Sequence, residues 1–256
     1  MKKSQNPQIP NPKSKIIAML IAKKIYKLLI VPFRDIIFPP ICFLCGQGLQ
    51  EKEDRVCNNC WSSFPEVTRS HPVYVELTER FKSGGVVQQF TACYLFEKEG
   101  KFQEAVHLLK YRNLKSIGIK LGIEVGKKIM LDSIQERIDY IAPIPLHKLK
   151  MRERGYNQSD YICKGISQVV KKECITDLII RKKYTQSQTK LNLEERKLNV
   201  ADAFGLNLKH RDLVRGKTIL LVDDIITTGA TIESVANVLK KNGANIVYAA
   251  SVGAAK

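Results

Sequence analysis

The sequence predicts an α/β protein, a parallel sheet flanked by helices, with a small four-cysteine metal module near its N-terminus. Three observations predict it. Apolar runs of strand length alternate with helical patterns from about Phe90 onward, at Thr91–Phe96, Tyr140–Pro145, Gly205–Leu208, Thr218–Val222 and Ile246–Val252. Within these, Ile219, Leu220, Leu221 and Val222 are apolar without alternation, the pattern of a strand covered on both faces. Two Cys-x-x-Cys pairs, Cys42/Cys45 and Cys57/Cys60, stand at zinc-ligand spacing.

Residues 1–13 are polar, carry Pro7, Pro10 and Pro12, and read as a disordered tail. Residues 14–38 read as a basic amphipathic helix, with Ile17, Leu20, Ile21, Ile25, Leu28 and Leu29 at helical spacing. Such a stripe packs on its own protein more often than on a partner or a bilayer, and peripheral membrane association stays open. Lys23, Lys24 and Lys27 interrupt the stretch Ile16–Val31, which is too short and too polar to span a bilayer. No small-residue cleavage site follows it, so a cytoplasmic location is expected. Pro32 and Pro39-Pro40 end the helical tendency.

Residues 39–66 form the expected metal module. Each Cys-x-x-Cys pair chelates from one tight turn, and four thiolates complete a tetrahedral Zn²⁺ with no open position. The metal is therefore read as structural. Cys93, Cys163 and Cys174 are scattered, which excludes a secreted disulfide framework.

Residues 85–256 are expected to hold the α/β domain. Phe102–Leu109 is an amphipathic helical pattern followed by Lys110-Tyr111-Arg112-Asn113-Leu114-Lys115, which suits nucleic acid or pyrophosphate as well as a solvated helix end. Arg181–Phe204 is too polar for core and too long for a plain connector, so it reads as a lid or binding loop, with a surface helix over Leu193–Val200 as the alternative. Ser234–Lys241 is helical. With 42 Lys+Arg against 25 Asp+Glu, the net charge of +17 favours anionic partners, although a merely lysine-rich soluble surface has the same balance.

The chemistry concentrates in Ile219–Thr231, ILLVDDIITTGAT. A polar, glycine-bearing turn between a buried strand and a helix leaves backbone N–H groups at the helix N-terminus, an anion site suited to phosphate. Asp223 and Asp224 beside it are acceptor-only groups suited to hydroxyls. Together they describe a sugar-phosphate site.

This stretch resembles the signature of type I phosphoribosyltransferases, which bind phosphoribosyl pyrophosphate. The resemblance implies the corresponding fold, with Asp223 and Asp224 on the ribose hydroxyls and Thr227, Thr228, Gly229, Ala230 and Thr231 around the 5′-phosphate. In Ala142–Ser159, the loop after Pro-Ile-Pro carries Leu146, His147, Lys148, Arg152 and Arg154, where the family holds pyrophosphate. Its wording, Pro-Leu-His followed by Arg-Gly-Tyr-Asn-Gln, resembles the ComF family of competence-associated proteins. A similar ComF pattern is matched by Thr185, Gln188, Arg196, Asn199, Val200, Ala203 and Phe204, and related amidophosphoribosyltransferases carry a flexible hood there.

The ComF resemblance, from about residue 36 to 256, implies Mg²⁺ with phosphoribosyl pyrophosphate, single-stranded DNA, a helicase-like partner and a role in DNA uptake. Two departures narrow the chemistry. Thr227 stands where purine-salvage relatives use an aspartate that can act as base, and Met1-Lys2-Lys3 offers no nucleophilic cysteine for glutamine hydrolysis. The acceptor of a transfer is left open.

Overall fold

Five parallel strands form the central sheet in the computed structural model, which describes residues 12–25, 39–182 and 203–255. They are β1 (Gln89–Leu95), β2 (Tyr140–Pro143), β3 (Glu173–Cys174), β6 (Thr218–Ile226) and β7 (Ile246–Ala254), in the order β1-β7-β6-β2-β3. A separate antiparallel ladder joins β4 (Ile179–Arg181) to β5 (Phe204–Leu206). The apolar run around Gly205 therefore lies outside the main sheet.

β6 has a partner on each side, and Thr218, Ile219, Leu220, Leu221 and Val222 are all buried, as their lack of alternation requires. The strand continues through the acidic pair. Asp223 aligns with Ser251, and Ile225 with Gly253. Pro143 of β2 aligns with Val222, so the chain leaving β2 emerges beside Asp223. Both loops thus lie at the carboxyl end of the sheet, where open α/β folds bind ligands.

The pleat divides the core into two layers. Leu220, Val222, Tyr248, Ala250 and Val252 face α4 (Lys101–Tyr111), α5 (Lys115–Leu131) and α7 (Gln158–Val170). Ile219, Leu221, Val247 and Ala249 face α3 (Pro72–Gly84) and α8 (Ala230–Lys241). Ile232, Val235, Ala236 and Leu239 form the buried stripe of α8, and each large member contributes about 1.5–3 kcal/mol on burial. Glycine lets α5 and α7 touch backbone to backbone: a Cβ on Gly165 would lie 2.1 Å from the Ile119 carbonyl oxygen. Two remaining short helices are α2 (Asn58–Ser62) and α6 (Lys148–Arg154).

The cysteine module is continuous with this core. Phe64 stacks 5.4 Å from both Tyr94 and Phe102, and Trp61 lies 5.1 Å from Phe64. Residues 65–67 run along the outer edge of β1, where Val67 donates to the Cys93 carbonyl at 2.9 Å and Leu95 to that of Pro65 at 2.7 Å. A cysteine-bearing segment so shields the sheet edge. The chain before residue 85 also builds the α/β core, since the Tyr74 hydroxyl donates to the Phe90 carbonyl at 2.5 Å.

The N-terminal helix α1 spans Pro12–Ile25. Its Ile16, Ile17, Met19, Leu20, Ile21 and Ile25 are between 51% and 62% exposed, so the stripe does not pack on the described residues as expected. Residues 1–11 and 26–38, covering most of the expected tail and the rest of the expected helix, lie outside the described residues. Among the described residues no helix is long and apolar enough to cross a membrane.

Candidate functional site

The four thiols of Cys42, Cys45, Cys57 and Cys60 lie within 4.8 Å of one another. Cys42 and Cys60 sulfurs are 3.8 Å apart, and Cys45 and Cys57 sulfurs 3.7 Å. A tetrahedron of sulfurs about 2.3 Å from zinc has edges of about 3.8 Å, so the geometry fits. Amides of Leu44 and Cys57 point at the Cys42 sulfur at 3.4 and 3.3 Å. Burial alone would raise that thiol, but these amides and that of Cys45 lower it to about 6, favouring the thiolate that binds metal. The four-cysteine set supports a structural zinc, which would fasten α2 and its Trp61 to the core.

At the carboxyl end of β6, Asp223 Oδ1 accepts the Asp224 amide at 2.9 Å and Asp224 Oδ1 accepts the Ile225 amide at 2.7 Å. Lys110, from the end of α4, brings its Nζ to 2.7 Å from Asp224 Oδ2. Burial and the neighbouring Asp224 carboxylate push Asp223 up to about 7. Burial acts on Asp224 too, but Lys110, the Ile225 amide and Arg154 hold it below the usual carboxylate range. The pair therefore shares a proton that is lost as pH rises through about 7, and it offers acceptors to hydroxyls.

The turn that follows lines a small, shallow recess from Asp223 through Thr227, Thr228, Gly229, Ala230 and Thr231 to Ile232. Gly229, at φ +72°, is the N-cap of α8, and no side chain caps that end. A Cβ there would sit 2.8 Å from the Phe81 ring, so conformation and packing both call for glycine. The first amides of α8 have no carbonyl partner inside the helix and remain available to an anion. Arg80 lies 3.5 Å from Glu233 of the first turn and offsets its negative charge.

The loop expected to hold pyrophosphate is partly helical. His147 is the N-cap of α6, its Nδ1 accepting the Leu149 amide at 3.2 Å, and Gly155 ends the helix in the left-handed region. Burial, Arg181 and Lys148 lower His147, so it is a neutral capping imidazole near pH 7. Leu146 is half-buried and Lys148 and Arg152 are exposed, whereas Arg154 turns inward. Its guanidinium lies 5.2 Å from the Tyr111 ring, and its Nε is buried with no hydrogen-bond partner among the described residues.

Lys150, Lys110 and Arg181 join Arg154 in one cationic group. Burial depresses Lys150 first, and the charges of Arg154, Arg181 and Lys110 depress it further. A group of cations held together by the fold suits a polyanion. Lys150 and Arg181 were not singled out as anion ligands from sequence, and Lys110 was left open between a ligand and a helix end. The sequence cannot show that α4 ends over Asp224. Thr185, Gln188 and Arg196, with Asn199 and Val200, lie outside the described residues.

The Tyr156-Asn157-Gln158 stretch has a structural use. Asn157 Nδ2 donates to the Ile144 carbonyl at 3.0 Å and to Asp160 at 2.9 Å, and Tyr156 donates to the Leu109 carbonyl. These bonds tie α7 to the chain leaving β2 and to α4, which carries Lys110.

Comparison with known proteins agrees with both modules. Residues 161–255 match the phosphoribosyl transferase domain and residues 33–73 the double zinc ribbon domain. The DNA utilization protein YhgH of Escherichia coli strain K12 is 30% identical over 56% of this chain and 62% of its own length. Competence protein F of Haemophilus influenzae is 26% identical over 80% of each chain. The chain thus spans under two thirds of YhgH. The structure of the allosteric regulatory enzyme of purine biosynthesis matches at 19% identity and a TM-score of 0.34, over 53% of this chain and 26% of that one, too weak to carry an argument.

Proposed function

Because the chain belongs to the ComF family, we propose that it binds phosphoribosyl pyrophosphate at the carboxyl end of β6 and acts in DNA uptake. One observation carries the ligand reading. A carboxylate pair, an uncapped helix N-terminus and a cationic group adjoin one another at the end of a single strand. Asp223 and Asp224 would accept the ribose hydroxyls. The Thr227–Thr231 turn would take the 5′-phosphate through backbone N–H groups and threonine hydroxyls. Arg154, Lys150 and Lys110 would meet the pyrophosphate, with Lys148 and Arg152 at its rim.

Mg²⁺ bound with the ligand would neutralise leaving-group charge, and the two aspartates are the carboxylates available to it. The protein's own part is to orient the ribose, hold the pyrophosphate against cations and keep water from the ribosyl centre. The names of the relatives support the DNA-uptake role, with single-stranded DNA and a helicase-like protein as proposed partners in the cytoplasm.

Calorimetric titration of phosphoribosyl pyrophosphate with Mg²⁺ tests the ligand, and Asp223→Asn/Asp224→Asn should weaken it at least tenfold. Pyrophosphate release screened over nucleobases and amines then tests turnover. Binding without turnover on any acceptor would leave a ligand-gated regulatory module.

A second reading, direct binding of single-stranded DNA, has its own support. Lys115 lies 5.1 and 5.3 Å from the Tyr156 and Tyr161 rings, and Lys164 lies 4.7 Å from Tyr161. Cations over aromatic rings on a protein of net charge +17 suit a nucleic-acid backbone and its bases. An affinity that does not fall as salt rises would count against it.

A further inference from the structure

We propose that Lys110 is a specificity latch, which holds Asp224 while the site is empty and yields that carboxylate to ribose hydroxyls only when a diphosphate draws it away. This rests on the reading of Asp223 and Asp224 as the ribose site. Lys110 stands in the last turn of α4, and its Nζ lies 2.7 Å from Asp224 Oδ2. The other oxygen, Oδ1, accepts the Ile225 amide at 2.7 Å. Each oxygen of Asp224 therefore has a partner before any ligand arrives. Asp223, for its part, gives its Oδ1 to the Asp224 amide at 2.9 Å.

The contact is strong enough to keep a hydroxyl out and placed so that a polyanion can break it. The side chains of Lys110 and Asp224 are only 22% and 15% exposed, so water and salt screen the pair little. A hydrogen bond between ammonium and carboxylate is about twice as strong as one from a neutral hydroxyl. A sugar phosphate without a diphosphate thus brings no group able to displace Lys110. The lysine also belongs to the cationic group, since its charge acts on Lys150 together with those of Arg154 and Arg181. A diphosphate held there offers Lys110 several oxygens and more negative charge than one carboxylate does. The flexible four-carbon stem lets the ammonium swing across while α4 stays in place. Arg154 is engaged elsewhere, its guanidinium 5.2 Å from the Tyr111 ring and 3.4 Å from the Tyr111 hydroxyl. Once Lys110 leaves, the Ile225 amide and the Arg154 charge still favour an ionised Asp224, open to hydroxyls.

The test titrates the full zinc-loaded chain by calorimetry with two probes. One is phosphoribosyl pyrophosphate with Mg²⁺; the other is ribose 5-phosphate, which has the same hydroxyls and 5′-phosphate but no diphosphate. Lys110→Met should weaken phosphoribosyl pyrophosphate at least tenfold and tighten ribose 5-phosphate at least threefold. Lys110→Arg, which keeps the charge, should preserve the wild-type preference between the two. Opposite shifts cannot come from a general loss of folding, which weakens both probes alike. Where the methionine variant does not fold, Lys110→Gln, which keeps a donor for Asp224 without the charge, is read in the same way. Weakening of both probes by similar factors, or ribose 5-phosphate affinity that does not rise, overturns the latch and leaves the ligand reading standing. A wild type that binds no phosphoribosyl pyrophosphate overturns the ligand reading and the latch with it.

Discussion

Replacing Asp223 by asparagine should stabilise this protein at alkaline pH while weakening the proposed ribose site. Burial and the adjacent Asp224 raise Asp223 from its ordinary value of 3.8 to about 7. A raised acid stays protonated in the folded state while the unfolded chain ionises. The wild-type penalty is therefore absent below 3.8, grows as pH rises through the window and is complete above about 7. At about 1.4 kcal/mol per tenfold change in proton affinity, this sets an upper bound of about 4 kcal/mol at pH 8 and under about 2 kcal/mol at pH 5. Asparagine is never charged and can keep the oxygen that accepts the Asp224 amide at 2.9 Å.

Urea denaturation of Asp223→Asn and wild type at pH 8 and pH 5 measures the difference directly. The variant should gain stability at pH 8, gain less at pH 5, and lose phosphoribosyl pyrophosphate binding at both. A variant less stable than wild type at pH 8 would refute the reasoning. Destabilisation concentrated in ligand-binding groups is the pattern expected when a site is kept for function.

Three further perturbations probe other parts of the fold. Lys110→Met should let Asp224 rise toward its ordinary range or above, and cost about 3 kcal/mol near pH 8 with a smaller loss near pH 5; an equal loss at both pH values would show that packing and not charge is at stake. Chelation of zinc, or Cys42→Ser, should shift the emission of Trp61, the protein's one tryptophan, to the red and lower the melting temperature, because Trp61 and Phe64 share a core with Tyr94 and Phe102; unchanged emission would detach the module from that core. Gly165→Ala should cost at least about 3 kcal/mol in urea denaturation, since its Cβ would meet the Ile119 carbonyl oxygen at 2.1 Å, and a loss under about 1 kcal/mol would mean that α5 and α7 separate freely.

The sequence alone determined what is local. The unbroken apolar run Ile219–Val222 reads as a strand covered on both faces, and the glycine-bearing turn after the two aspartates reads as the start of a helix, as observed. The two Cys-x-x-Cys pairs were legible for the same reason, since each chelate closes within a few residues. Helices α3, α5 and α7 were not singled out, α5 because glycines serving close packing with α7 blur its pattern. β3 is two residues long and leaves almost no periodic signal.

Only the tertiary structure decided which side chains meet. It made His147 the cap of α6 and drew Arg154 inward, away from exposed Arg152. It also brought Lys110 onto Asp224 across more than a hundred residues of chain. Periodicity reports how each segment faces a core, not which segment crosses over which. That choice is made by strand order and helix packing, through contacts between residues far apart in sequence.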